Sequence, residues 1–288
     1  MIYLFLSIVC STLIFIIFRS FEIFKVNRFT AIVINYFVAG ATGIIVNGNS
    51  INIEKMLFSE WSVNGLILGV VFITLFNIMA YTAQKLGASV ASIANKMALI
   101  IPVAFAILVY GDTLTLLKGI GILLALVGVF FATMKQKDTK KTFNLKLFAI
   151  PIILFFGSGF IDTFLKYTQE YLLKSDEDSK LFASLIFLTA FSIGSLIMLI
   201  DKSKRSFKAP SILGGLVLGI VNFGSISFLI QALEKSNLES SVVFPINNMG
   251  VVICTTILSF LIFKEQFSTK NKIGIALSVL AIAIITLA

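Results

Sequence analysis

The sequence predicts an all-α polytopic membrane protein, with ten transmembrane helices arranged as two inverted five-helix repeats. Three observations lead there. Of 288 residues, 58% are hydrophobic and only 13% charged, with a mean hydropathy of +1.02; a soluble domain carries roughly twice that charge on average. Apolar windows recur down the whole chain, each in the range of about 17 to 25 residues that crosses the hydrocarbon as a helix. Finally, segments of the first half return in the second.

The ten windows are 2–18, 29–46, 63–84, 88–110, 115–134, 145–168, 180–200, 211–233, 239–263 and 270–287. Short polar turns separate them, such as Asn47–Ser50 and Lys135–Lys141. None leaves room for a soluble domain, so function resides in the helical bundle. The first window begins at once, with no charged leader and no small-residue cleavage site, and reads as a retained helix.

Composition narrows the chemistry. The net charge of +9 sits in short loops, where anionic lipid head groups account for it and nucleic acid does not. The chain has no histidine and only two cysteines, Cys10 and Cys254, both in apolar windows. That pattern provides no metal site, no disulfide framework and no cofactor attachment. Without a Gly-x-Ser-x-Gly motif or a phosphate-binding loop, neither an intramembrane enzyme nor a primary pump is expected.

The internal repeat carries most of the functional argument. Gly65–Val71 (GLILGVV) returns as Gly215–Val221 (GLVLGIV), and Gly119–Val129 (GIGILLALVGV) returns as Lys272–Ile282 (KIGIALSVLAI). Both pairs are separated by nearly one offset, which chance similarity of apolar segments does not explain. The expected organisation is a first repeat at 1–134, a polar linker at 135–144 and a second repeat at 145–288. Five is an odd number, so the second copy must lie upside down relative to the first. Inverted repeats of this kind let a central site open alternately to either side.

Each half ends in a helix-4/helix-5 unit, and the turn before helix 5 or 10 holds an acid, Asp112 in Gly111–Leu114 and Glu265 in Lys264–Phe267. In these features the chain resembles the drug/metabolite transporter superfamily, in its EamA-type branch. The resemblance implies transport of a small metabolite. It also implies that both termini lie inside, whereas sixteen of the 23 Lys and Arg residues fall in the odd-numbered connections and the positive-inside rule puts the termini outside.

Polar groups at membrane depth are the candidate site. Lys96 is the ninth residue of helix 4, ~12 Å along it and close to the bilayer midplane. Placing a lysine there costs ~2.5–3.5 kcal/mol on insertion scales. Asn95 precedes it, and Ser89 and Ser92 share its face, as a wet wall would require. In helix 9, Asn248 aligns with Asn95, Asn247 lies beside it, and Ser241, Thr255 and Ser259 continue the stripe. Pro245 frees a backbone carbonyl there. Helix 3 offers Thr74, Asn77, Tyr81 and Gln84; helix 8 offers Asn222, Ser225, Ser227 and Gln231. In helix 6, Asp162 is the one acid well inside an apolar window. It is the candidate proton site or counter-ion to Lys96, with Lys166 one turn on. Interhelical hydrogen bonding, worth ~0.6 kcal/mol on average, is the plain alternative for the asparagines, as is a structural carboxylate pair for Lys96.

The substrate-binding set is therefore Lys96, Asn95, Asn77, Tyr81, Asn222, Asn247 and Asn248. The expected function is secondary transport of a small polar metabolite, anionic or zwitterionic, by alternating access. A scaffold or lipid-flipping subunit is the alternative. Expected partners are the solute, membrane lipids and a coupling proton, with no nucleic acid; a homodimer is compatible. The expected location is the bacterial inner membrane.

Overall fold

The computed structural model describes residues 1–46, 53–109, 115–133, 145–235 and 240–287. Among these residues every element is helical: α1 (Ile2–Ile23), α2 (Arg28–Val46), α3 (Ile53–Phe58), α4 (Ser62–Leu86), α5 (Ala88–Lys96), the 3₁₀ turn η1 (Met97–Leu99), α6 (Ile100–Val109), α7 (Leu116–Thr133), α8 (Leu145–Tyr171), α9 (Asp176–Ile200), η2 (Lys202–Lys204), α10 (Ala209–Lys235), α11 (Ser240–Phe263) and α12 (Thr269–Leu287). Only helices and closed barrels can satisfy backbone polar groups in hydrocarbon, which is why the described residues contain little else. Seven helices are long and apolar enough to cross a membrane, and Ala88–Pro102 and Gly119–Ala132 are shorter apolar segments. Asp112, the 135–144 linker and Asn47–Ser50 lie outside the described residues.

Each window carries one helical rod, with ends shifted by little more than a turn, but the fourth rod is broken. It runs as α5, tightens into η1, and resumes as α6. Pro102 supplies the cause. It has no N–H for the carbonyl four residues back, at Ala98, and its ring crowds that carbonyl. The 3₁₀ turn therefore falls one turn ahead of the proline, and Lys96 is the last residue before it.

The chain forms two compact units, residues 1–19, 78–159 and 224–288, and residues 20–77 and 160–223. The core of the first unit joins Ile93, Met97 and Ala98 to Ala125 and Val129 of α7, Val252 of α11 and Ala281 and Ile282 of α12. In this unit α7 and α12 pack almost backbone to backbone. A Cβ on Gly128 would lie 2.6 Å from the Ser278 hydroxyl, and one on Gly274 would meet the Ala132 amide nitrogen. Asn271 at the start of α12 donates to the carbonyls of Ala132 (2.9 Å) and Phe131 (3.3 Å).

The second unit holds the repeated GLILG/GLVLG segment twice. A Cβ on Gly65 would lie 2.7 Å from Leu185, and one on Gly69 would lie 2.5 Å from Thr189 and 2.9 Å from the Ile186 carbonyl. Reciprocally, a Cβ on Gly215 would lie 2.6 Å from Ile34, and one on Gly219 would lie 2.6 Å from Val38 and 2.9 Å from the Asn35 carbonyl. The third rod thus meets the seventh as the eighth meets the second. Tyr36 is fully buried here between Phe76 and Phe187, with ring centroids at 5.4 and 6.2 Å. Outside the apolar rods, Lys55 of α3 pairs with Glu177 (2.8 Å) and Asp178 (2.9 Å) at the start of α9.

Glycine is required where backbones touch. Gly69→Val and Gly219→Val should each lower stability by ~1–3 kcal/mol through overpacking, seen as a reduced melting temperature in detergent. Gly119→Ala meets nothing within 4 Å and, with alanine the better helix former, should melt at or slightly above the parent. Equal melting of all three variants would contradict the packing described.

Candidate functional site

The first unit brings helix 4 against helix 9. Ile93, Met97 and Val252 share one core cluster, while Ser89 lies beside Glu265, which follows α11. α5 therefore runs back along α11. On the other side α1 runs in the same direction as α11. Leu4 clusters with Val243, a Cβ on Gly250 would lie 2.6 Å from Ile8, and Arg19 sits 6.0 Å over the Phe263 ring.

Lys96 is half-buried at the break in the fourth rod. Asn95, beside it, donates from Nδ2 to the Ser158 hydroxyl of α8 at 2.9 Å. Asn247 is 2% exposed, with its side-chain oxygen meeting no hydrogen-bond partner, and Asn248 is half-buried. Below them on α11, Thr255 and Ser259 are fully buried with no hydrogen bond to either hydroxyl; Thr12 of α1 is alike. Tyr81 is half-buried on α4. Lys96, Asn95, Tyr81, Asn247 and Asn248 all belong to this unit. The side chains of Ser241 and Pro245 lie outside the described residues.

Ser89 and Ser92 do not form the wet wall their spacing suggests. They are 1% and 0% exposed, the Ser92 hydroxyl donates to the Ser89 carbonyl (2.9 Å), and the Ser89 hydroxyl donates to Glu265 (3.1 Å). The remaining candidates belong to the second unit. Asn77 donates to the Ile73 carbonyl of its own helix at 2.9 Å. Asn222 is buried, and the amide of Asn35 approaches its amide to 3.2 Å. Asp162 and Lys166 are exposed on the later half of α8.

Glu265 lies in a turn, outside the apolar windows, where hydrophobic patterning gives no sign of a site. Its carboxylate accepts from the Ala88 amide (2.9 Å) and the Ser89 hydroxyl, and Arg19 Nε lies 3.8 Å away. Arg19 also donates through Nη1 to the Gln84 carbonyl. Three segments are thereby tied at one point: the end of α1, the α4–α5 turn and the α11–α12 turn. Burial pushes the Glu265 carboxyl above the ordinary glutamate range, while Ala88 N–H, the Ser89 hydroxyl and the Arg19 guanidinium pull the other way. Gly87 was the available signal. Its φ of +109° and ψ of 153° are nearly exclusive to glycine, and a Cβ there would lie 2.8 Å from both Glu265 oxygens.

Long apolar helices and glycine-mediated packing define a multi-pass integral membrane protein. The model of the EamA-like transporter family matches residues 1–134 and 149–287, and the chain belongs to that family. It is 31% identical over 226 residues to a protein of Haemophilus influenzae described as uncharacterized, a match covering 78% of this chain and 75% of that one. A solved crystal structure matches with a TM-score of 0.61 at 15% identity, covering 98% of this chain and 96% of that one, a likeness of fold. Membership points to a membrane transporter of the drug/metabolite type, with a small-molecule substrate.

Gly87→Ala should cost ~1–3 kcal/mol from backbone strain alone and more if Glu265 is displaced. Thermal unfolding in detergent reads this directly. A melting point equal to the parent's would mean that Gly87 does not hold this backbone conformation against Glu265.

Proposed function

We propose that the protein is a secondary transporter of a small anionic or zwitterionic metabolite, working by alternating access in a bacterial inner membrane. The observation that carries this reading is Lys96 at the discontinuity of the fourth rod. A midplane ammonium is costly unless water, a carboxylate or an anionic solute answers it. Broken helices in the membrane recur where transporters bind their solutes, because irregular backbone is tolerated only against protein or a polar cavity. Asn95 and Asn247–Asn248 add amides on the two helices packed together there.

Alternating access in this reading comes from two copies of one unit, residues 1–134 and 145–288, joined by the 135–144 linker. The reciprocal glycine contacts support it. Gly69 on Thr189 and Gly219 on Val38 exchange roles between the copies, as pairs related by a two-fold operation do. The unit boundaries also fall inside α1, α4, α8 and α10, the first and third rods of each copy.

The test is thermal stabilisation of the purified protein by a panel of small carboxylates and phosphates, since a ligand that binds only the folded state raises its stability. One or more anions should raise the melting point, and Lys96→Gln should fold normally and lose that increase. Stabilisation by the same anion in Lys96→Gln would remove Lys96 from recognition. A panel that leaves the parent unmoved, together with loss of folding in Lys96→Gln, would favour a structural lysine and a scaffold.

A further inference from the structure

We propose that Glu265 is a proton-binding site of the transport cycle, linked to the level of Lys96 by buried hydroxyls of α5 and α11. This rests on the transport reading above. The carboxylate is 11% exposed, and it closes the Ala88 end of the interface between α5 and α11. The hydroxyls of Ser89 and Ser92 line α5 below it. On the facing run of α11, the hydroxyls of Thr255 and Ser259 are fully buried and bonded to no protein group. A buried hydroxyl in that condition is one that ordered water completes. Since α5 and α11 run in opposite directions, the four hydroxyls occupy the levels between Glu265 and Lys96.

The charged groups on the elements that meet at Glu265 are Arg19 and, one turn on, Glu22 on α1, Lys85 at the end of α4, Lys264 in its own turn, and Lys270 and Lys272 at the start of α12; Arg19 lies nearest, at 3.8 Å. α5 before Lys96 has no titratable group, and the described part of α11 has only Cys254. On protonation the carboxylate takes one proton from water and becomes a neutral carboxylic acid. The Ala88 amide and the Ser89 hydroxyl then lose a charged acceptor, which loosens the start of the helix that carries Asn95 and Lys96. On release the proton returns to water and the cap re-forms. Burial holding this carboxyl above the ordinary glutamate range brings the exchange nearer to neutral pH.

The sign for stability follows from that direction. A raised folded-state value means that the contribution is full at acid pH, below the unfolded glutamate value. It is lost as pH rises through the folded value. Glu265→Gln should abolish this slope.

The experiment is infrared difference spectroscopy of the purified full chain across pH, with amide hydrogen exchange of residues 87–92 corrected for intrinsic rate. In the parent, the carbonyl band of a protonated carboxyl should appear as pH falls toward the ordinary glutamate value, and exchange of 87–92 should rise with it. Glu265→Gln, which keeps a carbonyl acceptor for Ala88, should lose both changes. Ser89→Ala removes a donor to the ionised form and should shift both midpoints to higher pH. A band unchanged in Glu265→Gln, or a parent in which Glu265 stays ionised throughout, overturns the proposal. If the carboxyl titrates as described but no solute stabilises the protein, the transport reading falls and the proton site stands. If a solute binds through Lys96 and the carboxyl does not titrate, the reverse holds.

Discussion

Hydrocarbon offers no hydrogen-bond partner and little electrostatic screening, so every polar group at membrane depth has to be answered within the protein. The backbone answers by coiling into helices throughout. Side chains then face the same demand one at a time, and most of the polar contacts of this chain are replies to it. Thr42, Thr74, Thr82 and Thr256 return their hydroxyls to the carbonyl four residues back. Asn95 finds Ser158, and Glu265 finds the first free amide of α5. Groups left unanswered, such as the Asn247 oxygen and the Thr255 hydroxyl, stand out for that reason.

Because lipid tails are as apolar as leucine, burial alone does not hold such helices together, and close packing must. Glycine allows it. At Gly69, Gly219 and Gly274 the neighbouring helix comes within reach of backbone atoms, and the first two positions are the same position of the duplicated segment. A contact that recurs with its roles exchanged is costly to lose in both copies at once. The repetition of GLILG and GLVLG in the sequence is thus a packing requirement as much as a trace of duplication.

Much of the fold was legible because hydrophobic length is a strong signal at this composition, and all ten windows carry a helical rod. The break after Lys96 was not read, although Pro102 lies in plain view, because a proline's effect falls one turn before it. Ser89 and Ser92 were assigned to a wet wall from spacing alone; spacing fixes a face of the helix but not what covers it. Glu265 was noticed only through family resemblance, since its partners Gly87 and Ala88 lie far away in the chain and no periodicity links them. Asn77 and Asn222 sit on the expected helices, but amide patterns do not reveal whether a neighbour or a solute will satisfy them.

The central claim is that Lys96 lies where a solute reaches it from either side of the membrane in turn. A Lys96→Cys variant, in a background with Cys10→Ser and Cys254→Ser, can be treated in vesicles with a membrane-impermeant thiol reagent applied to one face at a time. Alternating access requires modification of this thiol from both faces. A residue 96 thiol that stays unmodified from either face, with the variant folded, would contradict it.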